Sequence, residues 1–155
     1  MGIVHFLQEL ILPQHRVKRR LNSYIKNKHF SGWGGYYYTF LRDRYAVKYG
    51  VEIGVRATIE GPIVFPHPRN ITIGEEVKIG TNCTIFNNVV IGQNNNKYPV
   101  IGNNVTIYSG TVIIGNISIG DNVIIGANSL INKDIENDVV VAGNPARIIK
   151  RRSEI

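Results

Sequence analysis

Cysteine is nearly missing from this chain: Cys83 stands alone among 155 residues. A single thiol excludes a disulfide framework and makes a reducing cytoplasm the expected compartment. Histidine is scarce too, with His5, His15, His29 and His67 spread so that only one follows position 50. A zinc centre built from three converging histidines is therefore not expected in the body of the chain. Long hydrophobic runs are also absent near the start, where Leu10 to Leu12 is the longest. Three residues cannot span a bilayer, and no basic segment precedes them as a signal peptide would require. Acidic residues are sparse at one end only. Residues 1–50 hold nine Lys or Arg against Glu9 and Asp43, whereas residues 51–155 hold nine of each sign. The net charge of +7 thus sits on the first fifty residues, and no recognition motif accompanies it, so nucleic acid is not an expected partner.

What is abundant is isoleucine at a fixed beat. It returns every six residues at Ile73, Ile79, Ile85 and Ile91, and again at Ile101, Ile107, Ile113, Ile119, Ile125 and Ile131. A weaker run precedes them at Ile53, Ile59 and Phe65. Neither a helix nor an ordinary strand has a period of six, but a coil with three short flat faces does, which predicts an all-β parallel β-helix of hexapeptide repeats. Four positions after each large residue comes a second, often smaller one, at Val77, Cys83, Val89, Val105, Thr111, Val123 and Ser129. These are expected to complete the inner lining, which makes Cys83 a buried filler. Glycine often follows the isoleucine (Gly74, Gly80, Gly92, Gly102, Gly120, Gly126), as expected of corners with unusual backbone angles.

Three units follow. Residues 1–50 form a basic helical appendage, 51–145 the coil, and 146–155 a basic tail. In the appendage, Val17, Leu21 and Ile25 lie four apart within an otherwise basic stretch, predicting an amphipathic cationic helix suited to the coil end, to an anionic membrane or to a lipid-linked substrate. Residues 132–141 are expected to leave the repeat.

The beat breaks twice. Phe65 and Ile73 are eight apart, extruding a loop around His67, and Ile91 and Ile101 are ten apart, extruding a loop within Gly92–Val100. Loops on a rigid scaffold are where chemistry concentrates. Three hexads make one turn, so the corner before Ile53, with Glu52, is expected to stack beneath the corner that carries His67. A carboxylate there fixes the imidazole and leaves its other nitrogen as a general base.

Residues 51–149 resemble the catalytic domain of serine O-acetyltransferases and related hexapeptide acyltransferases. The resemblance is carried by Val51-Glu52-Ile53, Pro66-His67, Tyr98-Pro99, Ile107-Tyr108-Ser109-Gly110, Ile125-Gly126-Ala127 and Ala142-Gly143-Asn144-Pro145-Ala146-Arg147. In the family an acidic residue fifteen positions before the catalytic histidine supports it, and Glu52 lies fifteen before His67. The resemblance implies a left-handed helix, a homotrimer with active sites between subunits, and acetyl-CoA as co-substrate with no metal. It places cofactor contacts at Ser109, Gly110 and Ala127, with Gly92 in addition. Lys150 and Arg151 are added on electrostatic grounds for the nucleotide phosphates.

The departures concern the acceptor. Serine acetyltransferases carry Asp before the catalytic histidine and Arg-His before the loop-ending proline, where this chain has Pro66, Lys97 and Tyr98. Tyr98, Lys97 and Asn94 are therefore read as contacts for a sugar hydroxyl in surface-polysaccharide assembly. Serine O-acetylation in cysteine biosynthesis and amino-sugar N-acetylation are the alternatives.

Overall fold

The computed structural model describes residues 48–152; the basic appendage predicted for residues 1–50 lies almost wholly outside them. The described chain winds as a parallel β-solenoid of about five turns, whose short strands stack into three sheets. The first sheet stacks β1 (Val51–Ile53), β4 (Ile71–Ile73), β7 (Val90–Gly92), β10 (Val112–Ile114) and β13 (Leu130–Ile131). The second stacks β2 (Thr58–Ile59), β5 (Lys78–Ile79), β8 (Val100–Ile101) and β11 (Ser118–Ile119). The third stacks β3 (Ile63–Val64), β6 (Cys83–Ile85), β9 (Thr106–Ile107), β12 (Ile124–Ile125) and β14 (Val139–Gly143), and is closed by the antiparallel β15 (Ala146–Arg151).

The six-residue beat is the register of this stack. Ile73 pairs with Ile91 on the first sheet, Ile79 with Ile101 on the second, and Ile85 with Ile107 on the third. These side chains, with Phe65 and the smaller slots Val77, Cys83, Val89, Val105 and Val123, are fully buried. Each buried isoleucine contributes roughly 2 kcal/mol of hydrophobic stabilisation. Two lining slots are polar and satisfied: the Thr111 hydroxyl donates to the Gly126 carbonyl at 3.2 Å, and the Ser129 hydroxyl to the same oxygen at 2.6 Å.

The corners differ from expectation in an instructive way. Gly74, Gly80, Gly102, Gly120 and Gly126 do not adopt a positive φ; the left-handed corner positions are mostly asparagines, Asn70, Asn82, Asn88, Asn104, Asn122 and Asn128, together with Asp138, Gly50 and Gly110. Asparagine tolerates that region because its short amide bonds locally, and here the amides stack. Asn104 Nδ2 donates to Asn122 Oδ1 at 3.1 Å, and Asn122 Nδ2 to Asp138 Oδ1 at 2.8 Å. The glycines are required by close approach instead. A Cβ on Gly80 would lie 2.8 Å from the carbonyl carbon of Gly102, and one on Gly102 would lie 2.8 Å from that of Gly120.

Residues 132–141 stay on the solenoid rather than leaving it. Ile135 bridges to Ile119, and β14 pairs in register with β12 through Ile124–Val140 and Ile125–Val141. The expectation failed because the next large residue, Ile135, comes four positions after Ile131 instead of six, which breaks the beat although the coil continues. Cys83 fills its inward slot, and its thiol donates to the Gly102 carbonyl at 3.3 Å. Burial pushes its pKa above the usual thiol value. Little thiolate is then available at neutral pH. Iodoacetamide is expected to leave Cys83 unmodified in the native protein and to alkylate it fully in urea, as read by mass spectrometry; rapid native labelling would contradict this burial.

Candidate active site

His67 lies in the loop between β3 and β4, at the corner where the third sheet turns into the first, and its side chain is exposed. The loop departs from the repeat between Phe65, which is buried, and Asn70, whose amide hydrogen returns to the Tyr49 carbonyl at 2.9 Å. Pro68 is buried behind the histidine, and the Arg69 amide donates to the His67 carbonyl at 2.8 Å. Two prolines, Pro66 and Pro68, flank His67 and restrict the backbone that carries it.

Above His67 the same corner carries Phe86 and then Tyr108. The His67 and Phe86 ring centroids are 6.4 Å apart at 52°, and Phe86 and Tyr108 are stacked at 4.9 Å and 21°. One position further along each coil lie Asn87, Ser109 and Ala127. The Ser109 hydroxyl donates to Asn87 Oδ1 at 2.9 Å, and the Asn128 amide to the Ser109 carbonyl at 2.9 Å. Gly110 follows at φ +74, in line with the left-handed Asn88 and Asn128. Three of the cofactor-contact residues expected from the sequence, Ser109, Gly110 and Ala127, therefore share one corner with His67.

The remaining expected site residues lie elsewhere on the single chain. Glu52 sits within β1 and pairs with Thr72, on the far side of the corner from His67. No hydrogen bond or ion pair joins Glu52 to His67 among the described residues. The strands stack as expected, Ile53 on Ile73, and His67 stands in the loop that leads into the second of them. Glu52 instead borders an open depression on the first sheet, shared with Gly54, Val55, Thr72, Gly74 and Glu75. Glu75 is engaged there, accepting the Val55 amide at 3.2 Å and approaching Arg56 at 3.7 Å.

The second loop also projects from a different corner, between the first and second sheets. Asn94 and Lys97 exchange both backbone hydrogen bonds, at 3.0 and 3.1 Å, around Asn95 and Asn96, both with positive φ. That is the geometry of a two-residue type I′ hairpin, with the Gln93 side-chain oxygen accepting the Asn96 amide at 2.8 Å. Asn94 and Lys97 are exposed, while Tyr98 is half-buried with its ring against Gly74. Gly92 begins this loop, so it is separated from the His67 corner. Glu52 lines the depression and Tyr98 packs near its Gly74 wall, whereas neither Tyr98 nor His67 lines it.

Lys150 and Arg151 lie on β15 opposite Val140 and Val139, at the end of the third sheet distant from Ala127. Arg151 is ion-paired with Glu136 at 2.7 Å. The cation placed nearer the Ser109–Ala127 corner is Arg147, which pairs with Ala142, the residue stacked on Gly126. The sequence signal for Arg147 was its place closing the Ala-Gly-x-Pro-Ala-Arg stretch. Phe86 and Tyr108, which share the His67 corner, were not singled out from the sequence, since ring stacking across coils is not visible in spacing alone.

Among the described residues no helix is long and apolar enough to cross a membrane. Residues 98–133 match the bacterial transferase hexapeptide family of six repeats. A serine acetyltransferase of Buchnera aphidicola subsp. Schizaphis graminum is 38% identical over 117 residues, covering 72% of this chain and 45% of the relative. The serine acetyltransferase of Brucella abortus strain S19 superposes with a TM-score of 0.70 at 30% identity, over 74% of this chain and 48% of that one. A serine acetyltransferase solved in complex with CoA gives 0.66 at 32% identity, over 72% of this chain and 47% of that one. The chain spans less than half the length of these relatives. Repeat, solenoid and similarity agree, and the chain belongs to the bacterial hexapeptide-repeat transferase family.

Proposed function

We propose that this chain is an acetyl-CoA-dependent O-acetyltransferase in which His67 is the general base. The carrying observation is the exposed His67 on a proline-flanked loop, at one corner with Ser109, Gly110 and Ala127. A hydroxyl is a weak nucleophile, and the reaction needs its proton removed as its oxygen bonds to the thioester carbonyl. His67 takes that proton and returns it to the departing thiolate as the carbon–sulfur bond breaks, so no net proton is gained or lost. Main-chain donors near Ser109 are suited to the oxyanion that forms between these steps. The small residues Gly110, Gly126 and Ala127 leave room for the donor along the corner, and Arg147 supplies positive charge toward its phosphates. The relatives' activity supports the thioester donor, as does the similar enzyme solved with CoA.

The relatives also support the hydroxyl of free serine as acceptor, since those compared are serine acetyltransferases. A sugar hydroxyl is the second reading, favoured by Pro66 beside the base and by the neutral Asn94–Asn96 tip next to Lys97 and Tyr98. The surface-polysaccharide acceptor placed first on sequence grounds is not supported by the relatives compared, which are serine acetyltransferases. Thiol release from acetyl-CoA with free L-serine against a panel of sugars separates the two, and no release with either class overturns the proposal.

Glu52 is proposed to support the imidazolium electrostatically from the flank of the same corner. His67 and the second loop occupy different corners of one chain, so a trimer with sites between subunits is the arrangement in which both serve one acceptor. Glu52→Gln keeps size and removes charge, and is expected to lower kcat about tenfold, with Glu52→Asp retaining most activity. Unchanged kcat in Glu52→Gln would assign Glu52 to the surface alone.

A further inference from the structure

The slot that follows the large core residue is glycine through most of the solenoid, as at Gly54, Gly74, Gly80, Gly102, Gly120 and Gly126. At the His67 corner, two successive coils carry an aromatic ring there instead. Phe86 and Tyr108 do not fill the core: Phe86 is half-buried and Tyr108 is 41% exposed. They stack on each other and lead directly to His67. Beside them, Asn87 Oδ1 accepts from the Ser109 hydroxyl at 2.9 Å, which leaves the Asn87 amide nitrogen as a donor. The rungs Phe86, Asn87, Tyr108 and Ser109 carry no formal charge.

We propose that Phe86 and Tyr108 position the acceptor at His67, and that this acceptor carries its hydroxyl on a saturated ring, as a neutral pyranoside does. The inference rests on the reading of His67 as general base and takes up the second acceptor reading above, a sugar hydroxyl. Whatever lies beside Phe86 is within reach of the imidazole, so the acceptor occupies that rung. A pyranoside presents C–H bonds to the electron-rich rings and hydroxyls to neutral amide and hydroxyl groups, which matches this corner. A free amino acid brings two charges and no apolar face, and the rungs offer its charges no partner. The adenine of the donor also stacks on aromatic rings. Its pantetheine arm, however, lies between adenine and thioester, so adenine is kept away from the rung next to the base.

The test follows thiol release from acetyl-CoA by the full chain, with methyl pyranosides and free L-serine as probes. The wild type is expected to saturate with a pyranoside. Phe86→Ala and Tyr108→Ala are each expected to raise the KM for that pyranoside roughly tenfold while kcat and the KM for acetyl-CoA stay within about threefold. Phe86→Leu keeps apolar volume but loses the flat face, so it should raise the same KM, and Phe86→Tyr should restore it. Unfolding temperatures of the variants exclude a folding defect. The proposal is overturned if the pyranoside KM does not move, or if the KM for acetyl-CoA rises in its place and marks the rings as a wall for the donor arm. Saturable turnover of L-serine that ignores both ring substitutions overturns it too, while leaving the acetyltransferase reading intact. Absence of turnover with any probe removes that reading together with this one.

Discussion

Replacing His67 by alanine is expected to lower kcat by about a hundredfold or more, the usual contribution of a positioned general base. The loss should fall on turnover, because the imidazole acts on the acceptor proton as the bond to the thioester carbon forms. The fold has little reason to respond. His67 is exposed, it lies in residues extruded from the repeat, and the buried anchors of its loop are Phe65 and Pro68. The unfolding temperature and sedimentation behaviour of His67→Ala should therefore match the wild type. Turnover close to wild type would remove His67 from the mechanism. A collapse of the fold instead would assign the imidazole a structural part that its exposure does not suggest.

The solenoid was legible because its cause is repetitive. One large side chain every six residues, with a lesser one four positions later, describes a core whose every layer is the same, and the strands pair in that register from Ile53 to Val141. The left-handed corners were open to the same reading and were assigned to the wrong residue. Asparagine recurs at Asn82, Asn104 and Asn122 as regularly as the glycines do, and it is mostly the asparagines, joined by Gly50 and Gly110, that take positive φ at these corners. The site was legible only in part. Spacing identified which residues leave the repeat, so His67 and the Asn94–Tyr98 loop were found. Spacing does not say what a loop packs against, so Tyr98 lies against Gly74 while His67 stands beside Phe86. Lys150 and Arg151 were chosen by charge alone, and β15 carries them to the far end of its sheet, where Glu136 already binds Arg151. A cation's sign is written in the sequence, but its partners are fixed by strand pairing.

The two explanations of the glycines predict different results at positions that look alike in sequence, Gly92 and Gly102. Both follow an isoleucine of the repeat, and neither has a positive φ. If these glycines served backbone freedom, alanine would cost little at either site. Close approach predicts a sharp contrast. A Cβ on Gly102 meets Asp121 Oδ1 and lies 2.8 Å and 2.9 Å from the carbonyl carbon and oxygen of Gly120. The carboxylate is not free to leave, because Asp121 Oδ1 also accepts the Asn103 amide at 2.6 Å. Adjacent coils would have to separate, and overpacking of this kind costs about 2 kcal/mol, seen as a drop of several degrees in unfolding temperature. At Gly92, which pairs with Ile114, nothing lies within 4 Å of the added carbon. Gly92→Ala should be neutral or slightly stabilising, since alanine restricts the unfolded chain more than glycine does. Equal losses at the two sites would show that contact between coils is not what selects glycine here.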